Sequence, residues 1–170
     1  MKGYVQVYTG NGKGKTTAAL GLAIRAVGAG LPVFIGQFVK GMDYSELAAL
    51  RRLSLVTLKQ YGRDCFIYQK PTNEDIMAAR HGLEEVREVI RSGSYSLVIL
   101  DEANIATHYG LFSVDELLEL VEAKPDNVEL VITGRYADQK VIQSADLVTE
   151  MREIKHYYQR GVQARAGIER

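Results

Sequence analysis

The sequence predicts a single α/β domain in which a mostly parallel sheet is covered by helices on both faces. Short apolar segments rich in β-branched residues alternate along the chain with segments whose apolar residues recur every three or four positions. Strands that alternate with helices typically form a parallel sheet, because each helix returns the chain to the edge where the strands begin. A length of 170 residues fits one domain with one core.

Six short segments are predicted to be strands because they are apolar and bounded by turn residues. These strands are residues 4–8, 33–39, 55–58, 95–100, 128–132 and 146–151. Apolar periodicity predicts five helices at residues 15–26, 44–53, 72–91, 113–124 and 140–144. Thr72 and Ser113 each begin a capping-box sequence, which marks a helix start, whereas residues 60–71 have no regular period.

A glycine-rich turn joins the first predicted strand to the first predicted helix. Residues 9–17 read Thr-Gly-Asn-Gly-Lys-Gly-Lys-Thr-Thr, and a turn ending in Gly-Lys-Thr in this context is typical of a phosphate-binding loop (P-loop). Gly10, Gly12 and Gly14 can adopt backbone angles closed to other residues, so successive N–H groups can converge on an anion. Thr9 stands where the consensus has its first glycine. A turn that binds nothing is the alternative, but the flanking elements favour phosphate binding.

Two further features extend this interpretation to a magnesium-bound nucleotide. In a P-loop, Lys15 reaches the distal phosphates and the Thr16 hydroxyl completes a magnesium shell. The apolar segment 97–100 runs into Asp101 and Glu102, where a carboxylate can hold the magnesium ion that bridges the phosphates. An acidic pair after a strand is also typical of a helix N-terminus, so the pair alone leaves both interpretations open. Chemistry does not decide which carboxylate binds the ion.

Ligands of parallel sheets bind beyond the carboxyl ends of the strands. This edge gathers the P-loop with residues 37–41, 101–102 and 133–135. Gln37, Lys40 and Arg135 are therefore expected near the phosphates. Arg135 either neutralises phosphate charge or pairs with a surface carboxylate, and the residues alone favour neither role.

Composition narrows the class of protein. A formal net charge of +0 argues against broad electrostatic binding to nucleic acid. No segment approaches the roughly 20 apolar residues that span a bilayer, and no leader precedes the first strand. The single cysteine, Cys65, excludes an intrachain disulfide and is expected to serve packing, so we expect a cytoplasmic protein. The three histidines lack the spacing of zinc ligands.

The chain divides by pattern into two parts of one domain. Residues 1–154 form the predicted P-loop α/β nucleotide-binding domain, and residues 155–170 form an irregular C-terminal tail that belongs to it. The tail is rich in basic residues and tyrosine but has no helical or strand period. Its composition favours a frayed, solvated segment, with folding over an anionic ligand as the alternative.

Several segments together resemble the corrinoid adenosyltransferases, which attach adenosine to cob(I)alamin, and the resemblance covers nearly the whole chain. They are Gly10–Thr17, Gln37-Phe38-Val39-Lys40-Gly41, Leu100-Asp101-Glu102, Leu130–Arg135, Ala145–Met151, Lys155-His156, Gly161–Ala164 and Gly167-Ile168-Glu169. The P-loop alone marks a vast superfamily, whereas its combination with Thr-Gly-Arg and the tail sequence is far more specific. Members of this family also carry threonine where Thr9 stands.

The resemblance implies a RecA-like sheet, a homodimer, and ATP, Mg²⁺ and a corrinoid as ligands. ATP would bind in a reversed sense, with its terminal phosphate in the P-loop, and triphosphate would be the leaving group. An electron-donor protein such as flavodoxin is a candidate further partner. Two other functions stay open on the residues alone: a conventional P-loop ATPase or kinase, and a non-catalytic ATP-dependent switch.

Matching positions assign roles to individual residues. Lys15 and Thr16 would contact phosphate, and Thr16 with Glu102 would hold the metal, with Asp101 as a further candidate ligand. Family members displace the lower axial ligand of cobalt with a Phe-x-Trp pair, for which this chain offers Phe66 and Tyr68. The predicted substrate-binding residues are Gly10, Asn11, Gly12, Lys13, Gly14, Lys15, Thr16, Thr17, Gln37, Lys40, Arg135, Phe66 and Tyr68, with Lys15, Thr16 and Glu102 as the catalytic set.

Overall fold

A parallel sheet runs through the centre of the structure, a computed structural model that describes residues 2–63 and 70–169. Within that part of the chain the sheet has six strands: β1 (Val5–Thr9), β2 (Val33–Phe38), β3 (Val56–Tyr61), β4 (Leu97–Asp101), β5 (Glu129–Thr133) and β6 (Leu147–Glu150). Their order is β3-β2-β4-β5-β1-β6, and every neighbouring pair is parallel. The predicted single α/β domain with a parallel sheet is therefore confirmed.

The strands are connected by helices on both faces of the sheet. The helices are α1 (Lys15–Gly28), α2 (Ser45–Leu50), α3 (Asn73–Ser92), α4 (Ala103–His108), α5 (Val114–Glu122) and α6 (Gln139–Ser144). Ala19 and Ala23 of α1 pack with Ile35 and Ile99 on one face. Because side chains alternate across a strand, the neighbours of those sheet residues point to the opposite face, where they pack against α3, α4 and α5.

The two predicted capping boxes are present. The Thr72 hydroxyl accepts the Asp75 N–H, and the Asp75 carboxylate accepts the Thr72 N–H in return. Ser113 and Glu116 make the same reciprocal pair at the start of α5. Each box satisfies two backbone groups that the first helical turn leaves without partners, which explains why both starts were predictable.

Three elements differ from the prediction. Strand β3 continues to Tyr61, because its polar residues lie on an edge strand that pairs only with β2. Helix α4 was missed, since six residues are too few to show a period. The tail was expected to lack helical structure, yet Tyr157–Arg160 forms a 3₁₀ turn capped by the His156 ring.

The fold brings the ends of four central strands to one place. Strands β2, β4, β5 and β1 are consecutive in the sheet and run in the same direction, so their carboxyl ends share an edge. The P-loop leaves this edge from β1, and Asp101 and Thr133 terminate β4 and β5. β5 separates the P-loop strand from the strand that carries Asp101.

Two glycines on helices provide a matched test of this packing. A Cβ at Gly82 of α3 would lie 2.3 Å from the ring carbon Cγ of buried Tyr61, whereas a Cβ at Gly21 of α1 would meet nothing within 4 Å. We expect Gly82→Ala to lower the free energy of unfolding by about 1–3 kcal/mol, because the ring has to move. Gly21→Ala should raise it by up to about 1 kcal/mol through helix propensity alone.

Urea denaturation followed by circular dichroism measures both changes. Equal effects at the two positions would contradict the close approach of α3 to β3.

Candidate active site

The P-loop is held against the segment that follows β6. The Gly12 N–H donates to the Met151 carbonyl at 2.6 Å, and a Cβ at Gly10 would lie 2.4 Å from the same oxygen. Gly10 and Gly14 also have φ values of 93° and 118°, which are costly for residues with side chains. The glycines are thus required by backbone conformation and by close packing together.

Lys15 is buried inside the loop that precedes it. Its ammonium donates to the carbonyl oxygens of Gly10 and Gly12, both at 2.8 Å. Burial lowers the pKa of Lys15, and the charge of nearby Glu102 opposes that shift only in part. The lysine therefore lies with its cationic end at the centre of the P-loop.

Asp101 is fully buried and accepts hydrogen bonds on both carboxylate oxygens. Oδ1 accepts from the hydroxyls of Thr16 at 2.9 Å and Thr133 at 2.7 Å. Oδ2 accepts from the Lys40 ammonium at 2.7 Å and from the Gln37 amide at 3.3 Å. Burial alone would raise the pKa of Asp101, but the Lys40 charge and these hydrogen bonds outweigh it and lower the pKa below its ordinary value.

Glu102 has a different environment from its neighbour. Its φ of 59° places it in the left-handed region, and its N–H donates to the Thr133 hydroxyl at 3.0 Å. Among residues 2–63 and 70–169, no hydrogen bond or ion pair engages its carboxylate. Burial and the charge of Asp101 raise the pKa of Glu102. Of the two acidic residues, Glu102 is the one whose oxygens remain available to a ligand.

The donor set at this edge fits a magnesium ion that binds together with phosphates. Mg²⁺ prefers hard oxygen ligands and typically takes one or two carboxylates plus phosphate oxygens and water. The Thr16 hydroxyl and the Glu102 carboxylate supply such oxygens. In the described part of the chain, no group of three or more His, Cys, Asp or Glu residues is arranged to hold a metal without other ligands.

The tail is attached to the tip of the P-loop. Lys13 Nζ donates to Glu169 at 2.7 Å and to the Tyr157 hydroxyl at 3.0 Å. Tyr157 also hydrogen-bonds Glu169, and the Arg165 guanidinium lies 4.9 Å from the Tyr157 ring centroid. Hydrogen bonds from Arg165 and Lys13 lower the pKa of Glu169. The expectation of a tail frayed from the domain is therefore wrong for this cluster.

Comparison with known proteins identifies the family. The model of a family described as ATP:corrinoid adenosyltransferase BtuR/CobO/CobP matches residues 1–170. The chain belongs to this family. The corrinoid adenosyltransferase of a Sinorhizobium species is 37% identical over 179 residues, an alignment that covers 99% of this chain and 80% of the relative.

Two other corrinoid adenosyltransferases match with similar coverage. The Pseudomonas aeruginosa protein is 34% identical over 170 residues, covering 99% of this chain and 84% of that protein. The Escherichia coli K12 protein is 32% identical over 168 residues, covering 99% and 86%. The resemblance noted from the motifs is therefore confirmed at the level of the adenosyltransferase family. No helix among the described residues is long and apolar enough to cross a membrane.

The structure brings most of the predicted site residues together and separates others. Thr16, Gln37 and Lys40 all hydrogen-bond Asp101, whereas Lys15 donates to the carbonyls of Gly10 and Gly12 in the P-loop. Glu102 lies close enough for its charge to act on that of Lys15, and Gly14 directly precedes this lysine. Asn11, Lys13 and Thr17 are exposed on the outer side of the P-loop. Phe66 and Tyr68, like Cys65, lie outside the described residues.

Arg135 and Thr133 complete this edge of the sheet. Arg135 is exposed and makes no ion pair with a carboxylate in residues 2–63 and 70–169, although its charge acts on Lys15 and Glu102. Thr133 was not singled out as a site residue, yet it contacts both acidic residues. Residues 133–135 were predicted from the sequence to lie at the ligand-binding edge, and the Thr-Gly-Arg motif was singled out, but Thr133 was given no role of its own.

Thr133→Val tests how far the acidic pair depends on this hydroxyl. The substitution keeps the shape of the side chain but leaves Asp101 Oδ1 and the Glu102 N–H each short of a partner. We expect the free energy of unfolding to fall by about 1–3 kcal/mol, as measured by urea denaturation. Thr57→Val is the control, because Thr57 only accepts a hydrogen bond from Tyr95 in a partly buried position. A similar loss in both variants would argue against a special role for Thr133.

Proposed function

We propose that this protein transfers the adenosyl group of ATP to cob(I)alamin or a related corrinoid, releasing triphosphate. The main support is the P-loop with Lys15 at its centre, next to the hydrogen-bonded Thr16–Asp101 group, in a chain that matches the adenosyltransferase family throughout. Such a site binds a polyphosphate firmly while leaving the nucleoside end free to react.

The reaction is a displacement at the ribose C5′ carbon. The electron pair of cobalt(I) forms the cobalt–carbon bond, and the C5′–O bond breaks with its electron pair leaving on triphosphate. Cobalt(I) is itself the nucleophile, so the protein supplies no Ser, Cys or His for attack. Its contribution is alignment of cobalt with C5′, an effect worth up to roughly 7–11 kcal/mol, and stabilisation of the leaving group.

Charge on the departing triphosphate is stabilised by the P-loop. The loop N–H groups and the start of α1 face the phosphates, and Lys15 exchanges its contacts with Gly10 and Gly12 for phosphate oxygens. Arg135 has no carboxylate partner among the described residues, which supports a role in neutralising phosphate charge over one in a surface ion pair. Gln37 acts on the phosphate site through Asp101, and Lys40 pairs with Asp101 before a nucleotide binds.

Magnesium would be held by the Thr16 hydroxyl and the Glu102 carboxylate. When bound, the ion neutralises negative charge that accumulates on the leaving group. Asp101 is saturated by four donors, which supports a role in orienting the Thr16 hydroxyl over direct coordination. Glu102, by contrast, has no hydrogen-bond or ion-pair partner for its carboxylate among residues 2–63 and 70–169, which supports its role as the direct ligand.

Partners beyond the substrates also belong to this proposal. We propose a homodimer, with support from the apolar side chains of Leu147, Val148 and Ile154, which are 45%, 41% and 90% exposed on the edge strand β6 and just after it. An electron-donor protein such as flavodoxin would reduce cob(II)alamin before transfer. The lone Cys65 fits a reducing, cytoplasmic location.

Lys15→Ala tests the phosphate site with one assay. Purified protein receives ATP, Mg²⁺ and chemically reduced cobalamin, and the phosphate product and the cobalt–carbon absorbance are measured. We expect the variant to lose at least about a hundredfold in turnover with its melting temperature nearly unchanged, because Lys15 stabilises the leaving group. Lys59→Ala is the control, since Lys59 is exposed and pairs with Glu85 outside the site.

The same assay separates the proposed transfer from its alternatives. Triphosphate together with an adenosylated corrinoid supports adenosyl transfer. ADP as the product would instead indicate a conventional ATPase or kinase, and unreacted ATP a nucleotide-dependent switch. Wild-type turnover by Lys15→Ala would remove the P-loop from the mechanism.

We propose that Phe66 and Tyr68 displace the lower axial ligand of cobalt, which makes cob(II)alamin easier to reduce. Phe66→Ala and Tyr68→Ala should therefore slow reactions that start from cob(II)alamin with a reductase several-fold more than reactions that start from cob(I)alamin. Initial rates from both oxidation states, measured for wild type and each variant, test this. Equal slowing from the two starting states would exclude the proposed role.

A further inference from the structure

Lys40 lies at the point where a divalent cation would meet the protein. Its ammonium is 2.7 Å from Asp101 Oδ2 and 3.4 Å from Thr16 Oγ1. The side chain is only 14% exposed, and the ring of Tyr44 lies on its other side with the centroid 5.3 Å from Nζ. One largely buried cation therefore contacts both the carboxylate at the end of β4 and the P-loop hydroxyl.

This contact changes the charge of the acidic edge. Asp101 and Glu102 together carry two negative charges, and the Thr16 hydroxyl adds a third oxygen donor next to them. Without a nearby cation, such a cluster attracts divalent ions by itself, because adjacent carboxylates raise the affinity for a hard cation. Lys40 cancels one of the two charges. Lys15 does not pair with Asp101 in the way that Lys40 does, because the Lys15 ammonium donates its hydrogen bonds to the P-loop carbonyls.

We propose that Lys40 is a tethered cation that competes with the divalent metal for the negative charge of the acidic edge and for the Thr16 hydroxyl, so that the metal binds only together with a polyphosphate. The proposal rests on the metal site described under the proposed function. A polyphosphate in the P-loop adds several negative charges beside Lys40, which attract its ammonium away from Asp101 and restore the affinity of the site for metal.

The competition also orders product release. Once triphosphate leaves the P-loop, the Lys40 ammonium returns to Asp101, and the site loses the charge that retained the metal. The carboxylates then no longer favour a bound metal, which would leave together with the triphosphate. Metal-free protein is the form that accepts the next ATP with its own magnesium ion.

Mn²⁺ titration followed by electron paramagnetic resonance tests the proposal without any corrinoid. Without nucleotide, we expect Lys40→Gln to bind Mn²⁺ at least about tenfold more tightly than wild type, because a unit charge a few ångströms from the ion is removed. The glutamine amide can still donate to Asp101. Lys40→Arg keeps the charge and should bind Mn²⁺ as weakly as wild type, and so should the surface control Lys59→Gln.

A second neutral variant guards against misfolding. Lys40→Ser leaves room for water to solvate Asp101, and each variant is first checked by thermal melting. Adding Glu102→Gln to the neutral variants should abolish the gain in Mn²⁺ affinity, which assigns the gain to the acidic edge. With ATP present, wild type and Lys40→Gln should bind Mn²⁺ with affinities that differ by less than about threefold, because the phosphates then dominate the site.

The outcomes separate this inference from the proposed function. Equal Mn²⁺ affinity in wild type and in folded neutral variants without nucleotide would overturn the competition while leaving adenosyl transfer intact. A gain in the neutral variants supports the competition even if no adenosylated corrinoid forms. Absence of Mn²⁺ binding in every variant, with or without ATP, would overturn the metal site and this inference together.

Discussion

The ionised carboxylate of Asp101 is the interaction on which the rest of the site depends. An isolated charge in a protein interior is strongly unfavourable, and here it is offset by one ion pair and three hydrogen bonds from neutral side chains. The donors come from α1, from β2 and the turn after it, and from β5. One buried charge therefore joins the P-loop helix to three adjacent strands, and losing its cationic partner would cost about 3–5 kcal/mol.

The same charge keeps the Asp101–Lys40 pair ionised over a wide pH range. The pKa of Asp101 lies below its ordinary value and that of Lys40 lies above. Their mutual stabilisation is therefore fully present between the ordinary pKa values of aspartate and lysine, about 4 and about 10. It is lost only as pH falls through the folded pKa of Asp101 or rises through that of Lys40. The pKa of Glu102 is raised, so this carboxylate is protonated before that of Asp101 as pH falls.

Local sequence patterns made the fold and the P-loop predictable. They did not predict which side chains contact one another within the site. Alternating apolar segments, capping boxes and the glycine-rich turn each carry their signal within a few residues. The different environments of Asp101 and Glu102 depend on Thr133, which is 32 residues distant from Asp101 along the chain, and on a positive φ at Glu102. The attachment of Glu169 to Lys13 was missed for the same reason, since a tertiary contact decides it. Helix α4 was missed because six residues are too few to show a period.

The P-loop is also held in place by contacts with the chain that follows β6, including the C-terminal tail. The Met151 carbonyl accepts the Gly12 N–H, and the Glu169 carboxylate pairs with Lys13. The loop is therefore fixed by the segment after β6 at two points, and its inner surface is left to Lys15 and the backbone N–H groups. A loop fixed before ligand binding loses less conformational entropy when a ligand binds, so the phosphate binding proposed above would gain affinity without any added contact. Residues remote in sequence thus serve the P-loop by holding it in shape.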